Sequence, residues 1–160
     1  MAGRRHAPAA GASGYRDRRG RAAGCSRADA SRRLRRAEAF LYVADLVRGE
    51  EVAANETDDA INLSGVATAL AVLSGSAAAD AACCHRLGVR ARGQDHKQSV
   101  ALLEIVVPHG TAMAVDLDRL LDIKDNAHYD VPGLSHEEAR SALIQAKRIA
   151  AAAKEVLAAS

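Results

Sequence analysis

The segment from Thr57 to Leu87 constrains the fold most, because it is long, rich in alanine, and apolar or small on nearly every side. Its middle reads LSGVATALAVLSGSAAADAACC. A helix with this sequence has almost no polar face to present to water, so it is expected to be the most buried helix of a bundle. Asp58 and Asp59 favour the positive end of the helix dipole, and Gly88 is typical of a helix stop.

Composition points to one all-α domain. The chain has 160 residues, of which 49% are hydrophobic, enough for one core. Aromatic residues make up only 2%, and the abundant alanine suits close helix packing better than sheets. We find no apolar run of the roughly 20 residues that a bilayer span needs, and no apolar centre of a secretory signal near the start. The sequence therefore predicts a protein that does not enter membranes and is cytoplasmic.

Hydrophobic periodicity predicts further helices on both sides of the central one. The first extends from about Ser31 to Glu51, with Phe40 and Val43 widening its apolar face. The positions that form this face are Leu34, Ala37, Leu41, Ala44 and Val47. Asp95 and Gln98 resemble a capping box that opens a third helix with Val100, Leu103 and Val107.

Pro108 and Gly110 interrupt the pattern, and a fourth helix is predicted from about Thr111 to Asn126 or just beyond. Ser135 and Glu138 form an S-x-x-E capping box for the last helix. Its apolar positions are Ala139, Leu143, Ala146, Ile149 or Ala150, Ala153 and Leu157. Four or five helices joined by short loops predict an up-and-down antiparallel bundle.

Charge divides the chain into two parts. Residues 1–36 hold 11 of the 22 Lys and Arg but only two of the 20 Asp and Glu, so the rest carries a net charge of −7. Residues 1–30 mix Arg, Ala, Gly and Ser with little that could form a core, which predicts a disordered basic tail before a bundle over residues 31–160. The tail is interpreted either as a phosphate-binding arm or as a solvated extension.

The cysteines and one buried acid give further expectations. Cys25 lies in the predicted tail, so we expect no disulfide framework and expect Cys83 and Cys84 to be buried and reduced. Neighbouring residues project about 100° apart on a helix, so Cys83, Cys84 and His85 are poorly placed to hold one metal ion. Asp80 lies in the most apolar helix and needs a basic partner, which we expect to be Arg86, Arg90, Arg92 or a group on a second subunit.

Two polar clusters are candidates for a functional site. In the first, Arg90, Arg92 and His96 lie in or beside a loop that leads into a helix N-terminus, where a phosphate is favoured. The alternative is a solvated loop in which Asp95 caps the helix.

The second cluster ends the fourth helix. Leu117, Leu121, Lys124 and His128 share one helical stripe, so two leucines lead to an ammonium and an imidazole. His128 is a candidate general acid or base, and Lys124 a candidate for stabilising negative charge. The alternative is a helix end whose basic groups complement the negative end of the dipole. No E-x-x-H pair, P-loop or G-x-S-x-G motif occurs, and neither a metal nor a cofactor is expected.

From Ala37 to about Leu157 the order of segments resembles the HEPN (higher eukaryotes and prokaryotes nucleotide-binding) superfamily, in particular its small stand-alone bacterial branch. The segments that carry the resemblance are GSAAADAACCHRLG, GQDHKQSVALL, LDRLLDIKDNAHYD and SHEEARSALIQAKRIA. The resemblance implies a helical bundle that is commonly a homodimer. It also implies a link to RNA cleavage, toxin–antitoxin or defence systems, with a nucleotidyltransferase or antitoxin as partner.

The resemblance also implies roles for individual residues. Family ribonucleases carry an Arg, a polar residue and then a His; here Lys124 takes the place of Arg, Asp125 is the polar residue and His128 is the histidine, with three residues between Lys124 and His128. Lys lacks the planar two-pronged contact that Arg makes with phosphate. Arg90 and His96 have a family-like gap of five residues, and Tyr129 directly follows His128.

The sequence therefore leads to two hypotheses about function. The first is a homodimeric HEPN-like protein that binds RNA or a nucleotide and is a candidate degenerate, metal-independent ribonuclease. In it, Lys124, Asp125 and His128 serve catalysis, while Arg90, Arg92, His96 and Tyr129 bind phosphate or nucleotide. The second is a non-catalytic helical module that binds a partner protein.

Overall fold

Five helices and one short two-stranded sheet make up the parts of the chain that the computed structural model describes, namely residues 22–53, 63–92, 96–129 and 134–159. The side chains of residues 51–53, 96 and 125–129 are outside that description. The helices are α1 (Arg27–Ala53), α2 (Leu63–Leu87), α3 (His96–Glu104), α4 (Gly110–Tyr129) and α5 (His136–Ala158). The strands are β1 (Ala22–Gly24) and β2 (Val89–Ala91). The predicted all-α class and helical bundle are confirmed.

Helices α1 and α2 pack antiparallel, and three contacts fix their alignment. Cys25, just before α1, forms a disulfide with Cys84. Further along, the guanidinium of Arg33 donates to the Asp80 carboxylate at 2.9 Å. The buried Ser74 hydroxyl then donates to the backbone carbonyl of Ala37 at 2.8 Å. Residue numbers rise along α1 as they fall along α2, so the two helices run in opposite directions.

Ion pairs to α5 give the directions of the other long helices. On α1, Asp45 pairs with Lys147 at 2.7 Å and Glu38 approaches Lys154 at 3.8 Å. On the α4 side, Asp116 lies 3.9 Å from Arg148, and His109 lies 2.6 Å from Glu155. In both sets of contacts, residue numbers rise along α1 or α4 as they fall along α5, so α5 is antiparallel to both α1 and α4. Helices α1 and α4 therefore point one way, and α2 and α5 the other.

Helix α2 lies at the centre of the bundle and contacts α1, α3, α4 and α5. Gly75 is buried there, and a Cβ atom at this position would collide with the side chain of Leu120 and press on that of Ile149. The largest fully buried side chains include Leu102, Leu103, Met113, Leu117, Leu120, Ile149 and Val156. Small residues on α2 therefore let large side chains of α4 and α5 reach the central helix.

Most of the predicted helical faces are confirmed. Ala37 and Ala44 on α1 are fully buried. On α4, Met113, Leu117 and Leu120 are each at most 1% exposed. Val43 and Val107 are exceptions. Val43 is 43% exposed and widens the outer side of α1 rather than the core face, and Val107 lies beyond the end of α3 at Glu104 and is 74% exposed.

The predicted helix ends can be compared at two places. Gly88 ends α2 with φ of +67°, a conformation that favours glycine. Ser135 and Glu138 form both hydrogen bonds of the predicted capping box of α5. The predicted starts at Asp58, Asp59 and Asp95 lie outside the described residues.

The predicted tail is wrong for residues 22–30. β1 pairs antiparallel with β2, with Ala23 opposite Arg90, so part of the predicted polar loop is a strand. Helix α1 begins at Arg27 rather than near Ser31. A reciprocal capping box explains this start, because the Ser26 hydroxyl accepts from the Asp29 amide at 3.1 Å while the Asp29 carboxylate accepts from the Ser26 amide at 2.9 Å. Residues 1–21 lie outside the described residues.

The expectation that the cysteines are unpaired is wrong for two of the three. Cys25 and Cys84 are joined, with Cα atoms 5.4 Å apart, while Cys83 is a buried free thiol. The β1–β2 pairing brings Cys25 close to the end of α2, where its amide donates to the Gly88 carbonyl at 2.9 Å. Sequence spacing could not show this contact, because 59 residues separate the two cysteines.

By length and composition alone, helix α2 could cross a membrane. The expectation that no segment of the sequence is long and apolar enough to do so is therefore wrong. Of the most apolar stretch of α2, 67% is buried inside the bundle. Core helices of soluble proteins have the same properties, and a buried position between α1 and α5 is typical of them.

We expect the disulfide to contribute strongly to stability, because it closes a loop of 59 residues in the unfolded chain. Reduction with dithiothreitol, or Cys25→Ala, should lower the free energy of unfolding by about 2–4 kcal/mol in denaturant titrations. Dithiothreitol should have no further effect on Cys25→Ala, whereas Cys83→Ala should remain sensitive to it. Equal stability of the wild type with and without dithiothreitol would contradict this role.

Candidate functional site

A charged surface is formed by the first turns of α1. Asp29, Arg32, Arg33 and Arg36 line an open depression of about 260 Å³, which we call the arginine depression. Helical spacing explains the grouping, because residues three and four positions apart lie on the same side of a helix. Arg32 and Arg36 are exposed and Arg33 is half-buried. The depression therefore offers guanidinium groups to a ligand from water.

Asp29 organises the acidic side of the arginine depression. Its carboxylate accepts hydrogen bonds from the Ser26 amide and hydroxyl, and it also pairs with Arg32. These contacts, above all the amide hydrogen bond of Ser26, lower the pKa of Asp29 to about 2. Asp29 is therefore ionised at neutral pH and acts as the cap of α1, while the surrounding guanidinium groups leave the depression with net positive charge.

Arg36 lies against an aromatic ring. Its guanidinium carbon is 5.4 Å from the ring centre of Phe40, one turn further along α1. Cation–π contact favours a guanidinium that stacks on a ring in this way. The side chain is therefore oriented at the edge of the depression although it is exposed.

Arg33 connects the arginine depression to the bundle core. It forms a salt bridge with Asp80 on α2 at 2.9 Å. Burial raises the pKa of the Asp80 carboxyl, and the positive charges of Arg33 and Arg90 oppose that rise. We expected the partner of Asp80 to be Arg86, Arg90, Arg92 or a second subunit. Arg33 is the hydrogen-bonded partner instead, and Arg90 contributes only through its charge.

The predicted catalytic cluster lies on the last turns of α4. Leu117 and Leu121 are buried and Lys124 is half-buried, as expected of a stripe that leaves the core. Asp125, His128 and Tyr129 belong to α4 by their backbone, and their side chains lie outside the described residues. Their roles stay predictions.

The predicted phosphate-binding loop is only partly described. Arg90 belongs to β2, where its guanidinium donates to the Ala91 carbonyl at 3.1 Å, and Arg92 is exposed just after the strand. His96 starts α3, but its side chain, like residues 93–95, lies outside the described residues. Arg90 therefore belongs to the Arg33–Asp80 group and does not lie in a free loop.

The thiols are poorly suited to nucleophilic catalysis. Cys84 is bonded to Cys25 in the disulfide, so it cannot provide a thiolate beside His85 while that bond is intact. Burial raises the pKa of the Cys83 thiol to about 12, with the Asp80 charge adding to the effect. Among the residues that the structure describes, no group of three His, Cys, Asp or Glu side chains is arranged to hold a metal ion.

The arginine depression could have been found from the sequence only in part. The run of arginines is visible in the sequence, and Arg32, Arg33 and Arg36 lie within the helix that was predicted from about Ser31. Their charge was counted with the basic N-terminal part of the chain, so they were not considered as a site. The signal that was missed is the S-x-x-D pattern of Ser26 and Asp29, which starts the helix one turn earlier and brings Asp29 onto it beside Arg32 and Arg36.

Comparison with family models, with curated proteins and with solved structures finds no match to this chain.

We expect Arg33→Gln to destabilise the fold by about 1–2 kcal/mol at pH 7, because a charged hydrogen bond to a largely buried carboxylate is lost. The pKa of Asp80 is higher in the folded state than in the unfolded state, so the protonated form of Asp80 favours folding. This contribution to stability is lost as pH rises through the folded-state pKa. Removal of Arg33 raises that pKa further. The difference from wild type in urea denaturation should therefore shrink as pH falls from 7 towards 3.

The matched control is Arg35→Gln, which removes an exposed arginine of the same helix and should change stability little at either pH. A deficit of Arg33→Gln that is the same at both pH values would rule out the ionised Asp80 as its cause.

Proposed function

We propose that this protein binds RNA, and that the arginine depression on α1 is where the phosphate backbone is held. The observation that carries the proposal is the grouping of Arg32, Arg33 and Arg36 around one open depression. Arginine presents planar paired donors that match phosphate oxygens. RNA carries a row of such phosphates. When closely spaced cationic side chains bind these phosphates, counterions of the RNA are released, and this release favours binding.

Charge distribution supports this location. Residues 37–160 carry a net charge of −7, so the body of the bundle repels a polyanion. The segment 27–36 contains five arginines and one acid, Asp29. The net positive charge is therefore confined to residues 1–36, and it would orient an approaching RNA towards the N-terminal part of the chain, which includes the first turns of α1.

The contact between Arg36 and Phe40 favours a single-stranded nucleic acid, such as RNA, over polyanions that lack bases. Single-stranded RNA is recognised through bases that stack on aromatic rings or on guanidinium planes. The guanidinium of Arg36, which lies over the half-buried Phe40 ring with its carbon 5.4 Å from the ring centre, is available to a base next to phosphates bound at Arg32 and Arg33.

A HEPN-like ribonuclease activity is a finer part of this proposal. It is supported by the stripe of α4, which leads from the buried Leu117 and Leu121 to the half-buried Lys124. In this mechanism His128 removes the proton from a ribose 2′-hydroxyl, and Lys124 stabilises the charge that develops on the phosphate. Disulfides persist mainly in oxidising compartments, so the Cys25–Cys84 bond weighs against the predicted cytoplasmic location.

A non-catalytic protein-interaction module is the second candidate. It is favoured by exposed apolar side chains on α1 and α2, such as Tyr42 with 67% and Leu46 with 53% exposure. It predicts no affinity for RNA at moderate salt, so the binding experiment separates the two functions.

Replacement of Arg32 and Arg36 together by Gln should weaken binding to a fluorescent single-stranded RNA by tenfold or more at low salt. Each lost phosphate contact should also reduce the slope of log affinity against log salt by about 0.7. Fluorescence anisotropy at several salt concentrations measures both effects.

The matched control is Arg140→Gln with Arg148→Gln, which makes the same charge change on exposed positions of α5. Equal loss in both double variants would show that only net charge matters. Unchanged binding by the Arg32 and Arg36 variant would instead place the RNA elsewhere, for example on residues 1–21, and would contradict the proposal.

Cleavage is tested separately, with total RNA and purified protein in the presence of a chelator. We expect the wild type and His109→Ala to shorten the RNA and His128→Ala to leave it intact, because His109 lies at the other end of α4 from position 128. Intact RNA with wild-type protein would end the ribonuclease part of the proposal without affecting RNA binding, which anisotropy measures independently.

A further inference from the structure

An exposed aromatic ring lies on α1, beyond the arginine depression. Of the two aromatic side chains that the structure describes, Phe40 is half-buried and Tyr42 is 67% exposed. Helical spacing from the buried Ala37 and Ala44 places Tyr42 on the side of α1 that faces away from the bundle. The ring of Tyr42 therefore adds little to the core and is open to a ligand from water.

Tyr42 belongs to a stripe of exposed side chains that begins in the first turns of α1, and we call it the outer stripe. Its members follow one another at spacings of three, four, three and four, and they are Arg32, Arg35, Ala39, Tyr42 and Leu46. Arg32 also lines the arginine depression, so the outer stripe continues from that depression along the helix. Its first half is basic and its second half is apolar.

The charges along the outer stripe favour a polyanion. Arg35 is exposed, and no ion pair between described side chains includes it. The acids that flank Tyr42 on α1 are Glu38 and Asp45, and each of them pairs with a lysine of α5. A polyanion that extends from Arg35 to Tyr42 therefore passes no unpaired acid among the described side chains.

Arginines followed by an exposed ring provide both contacts that a single-stranded nucleic acid makes with a protein. Cations bind the phosphates, and an aromatic ring stacks on a base, whatever the sequence. A base inside a duplex is already paired and stacked on its neighbours, so only an unpaired base can lie on Tyr42. Leu46, which is 53% exposed one turn further along, adds apolar surface beside the ring.

We propose that Tyr42 is a base-stacking residue, and that the outer stripe binds a single strand of RNA whose phosphates lie on Arg32 and Arg35. The inference rests on the proposed RNA binding, and it adds the class of RNA and the residue that selects this class. Tyr42 is thereby assigned to RNA and not to a partner protein.

Helix geometry sets the length of RNA that the outer stripe accommodates. Tyr42 follows Arg32 by ten residues in the sequence, which is about 15 Å along the helix. A strand with stacked bases advances about 3.4 Å per nucleotide, so about four or five nucleotides cover this distance. The next position of the outer stripe after Leu46 is the exposed acid Glu50, which ends the path that is favourable for phosphates.

Fluorescence anisotropy with a single-stranded RNA of roughly eight nucleotides tests the role of Tyr42. Tyr42→Ala should weaken binding by about fivefold or more, whereas Tyr42→Phe keeps the ring and should bind within about twofold of the wild type. The slope of log affinity against log salt should stay the same in Tyr42→Ala, because no phosphate contact is lost. In Arg35→Gln it should fall by about 0.7. Circular dichroism verifies that each variant keeps its helices.

Selectivity for unpaired bases is tested with a blunt RNA duplex of the same length. The duplex offers phosphates to the arginines but no free base to Tyr42, so Tyr42→Ala should bind it as tightly as the wild type does. A loss that is equal for duplex and single strand would contradict the assignment of Tyr42 to an unpaired base.

A fluorescent side chain at the same position tests stacking directly. The sequence contains no tryptophan, so Tyr42→Trp introduces a single indole ring. Single-stranded RNA should quench its emission, because a base stacks on the ring. Inorganic polyphosphate, which has no bases, should compete with RNA for the arginines but leave the emission unchanged. The matched control is Val115→Trp at an exposed apolar position of α4, which should not be quenched by either ligand.

Three further results would overturn the inference. One is an unchanged affinity of Tyr42→Ala for single-stranded RNA, which would assign the apolar half of the outer stripe to a partner protein. Another is an equal loss in Tyr42→Ala and Tyr42→Phe, which would exclude stacking as the cause. The last is equal quenching of Tyr42→Trp by RNA and by polyphosphate. Failure of the wild type to bind RNA at all would instead refute the proposed function, and this inference with it.

Discussion

The close antiparallel contact between α1 and α2 is the interaction on which the rest of the structure depends. It requires small side chains, and Ala37, Ala44, Ala67 and Ala71 are fully buried in it or beside it. The hydrogen bond from Ser74 to the Ala37 carbonyl shows how near the two backbones come. Because α1 covers one side of α2, other sides of α2 pack against α3, α4 and α5, which supply the large side chains of the core.

Local patterns allowed the helices to be predicted, because helix periodicity and capping are properties of neighbouring residues. The buried Leu117 and the Ser135–Glu138 capping box are confirmed on that basis. Long-range contacts could not be predicted in the same way. The Cys25–Cys84 bond and the Arg33–Asp80 pair each join distant segments, and only the alignment of α1 with α2 brings them together. The exposure of Val43 has the same origin, since its burial depends on what packs beside α1.

The candidate sites differ in how they were reached. The stripe of α4 that leads to Lys124 was predicted from spacing alone, and the burial of its two leucines, Leu117 and Leu121, is confirmed. The arginine depression was missed, because composition assigned Asp29 to a tail and the charge of the arginines was counted with that tail, while a capping interaction at Ser26 makes Asp29 part of the same helix. Charged side chains that a folded helix holds in fixed positions can act together on one ligand, whereas the same residues in a mobile segment bind mainly by net charge.

The helix directions set the length of any ligand that reaches both candidate sites. Because α1 and α4 point the same way, the arginine depression near the start of α1 and Lys124 near the end of α4 lie at opposite ends of the bundle. The ion pairs that α1 and α4 form with α5 give the levels of the two sites along the bundle axis. By this measure the arginine depression and Lys124 are about 18 residues of helix apart, or about 27 Å. A mononucleotide is far too short to bridge that gap within one copy, so a nucleic acid that occupied both candidate sites would have to be a strand of several nucleotides that extends along the molecule.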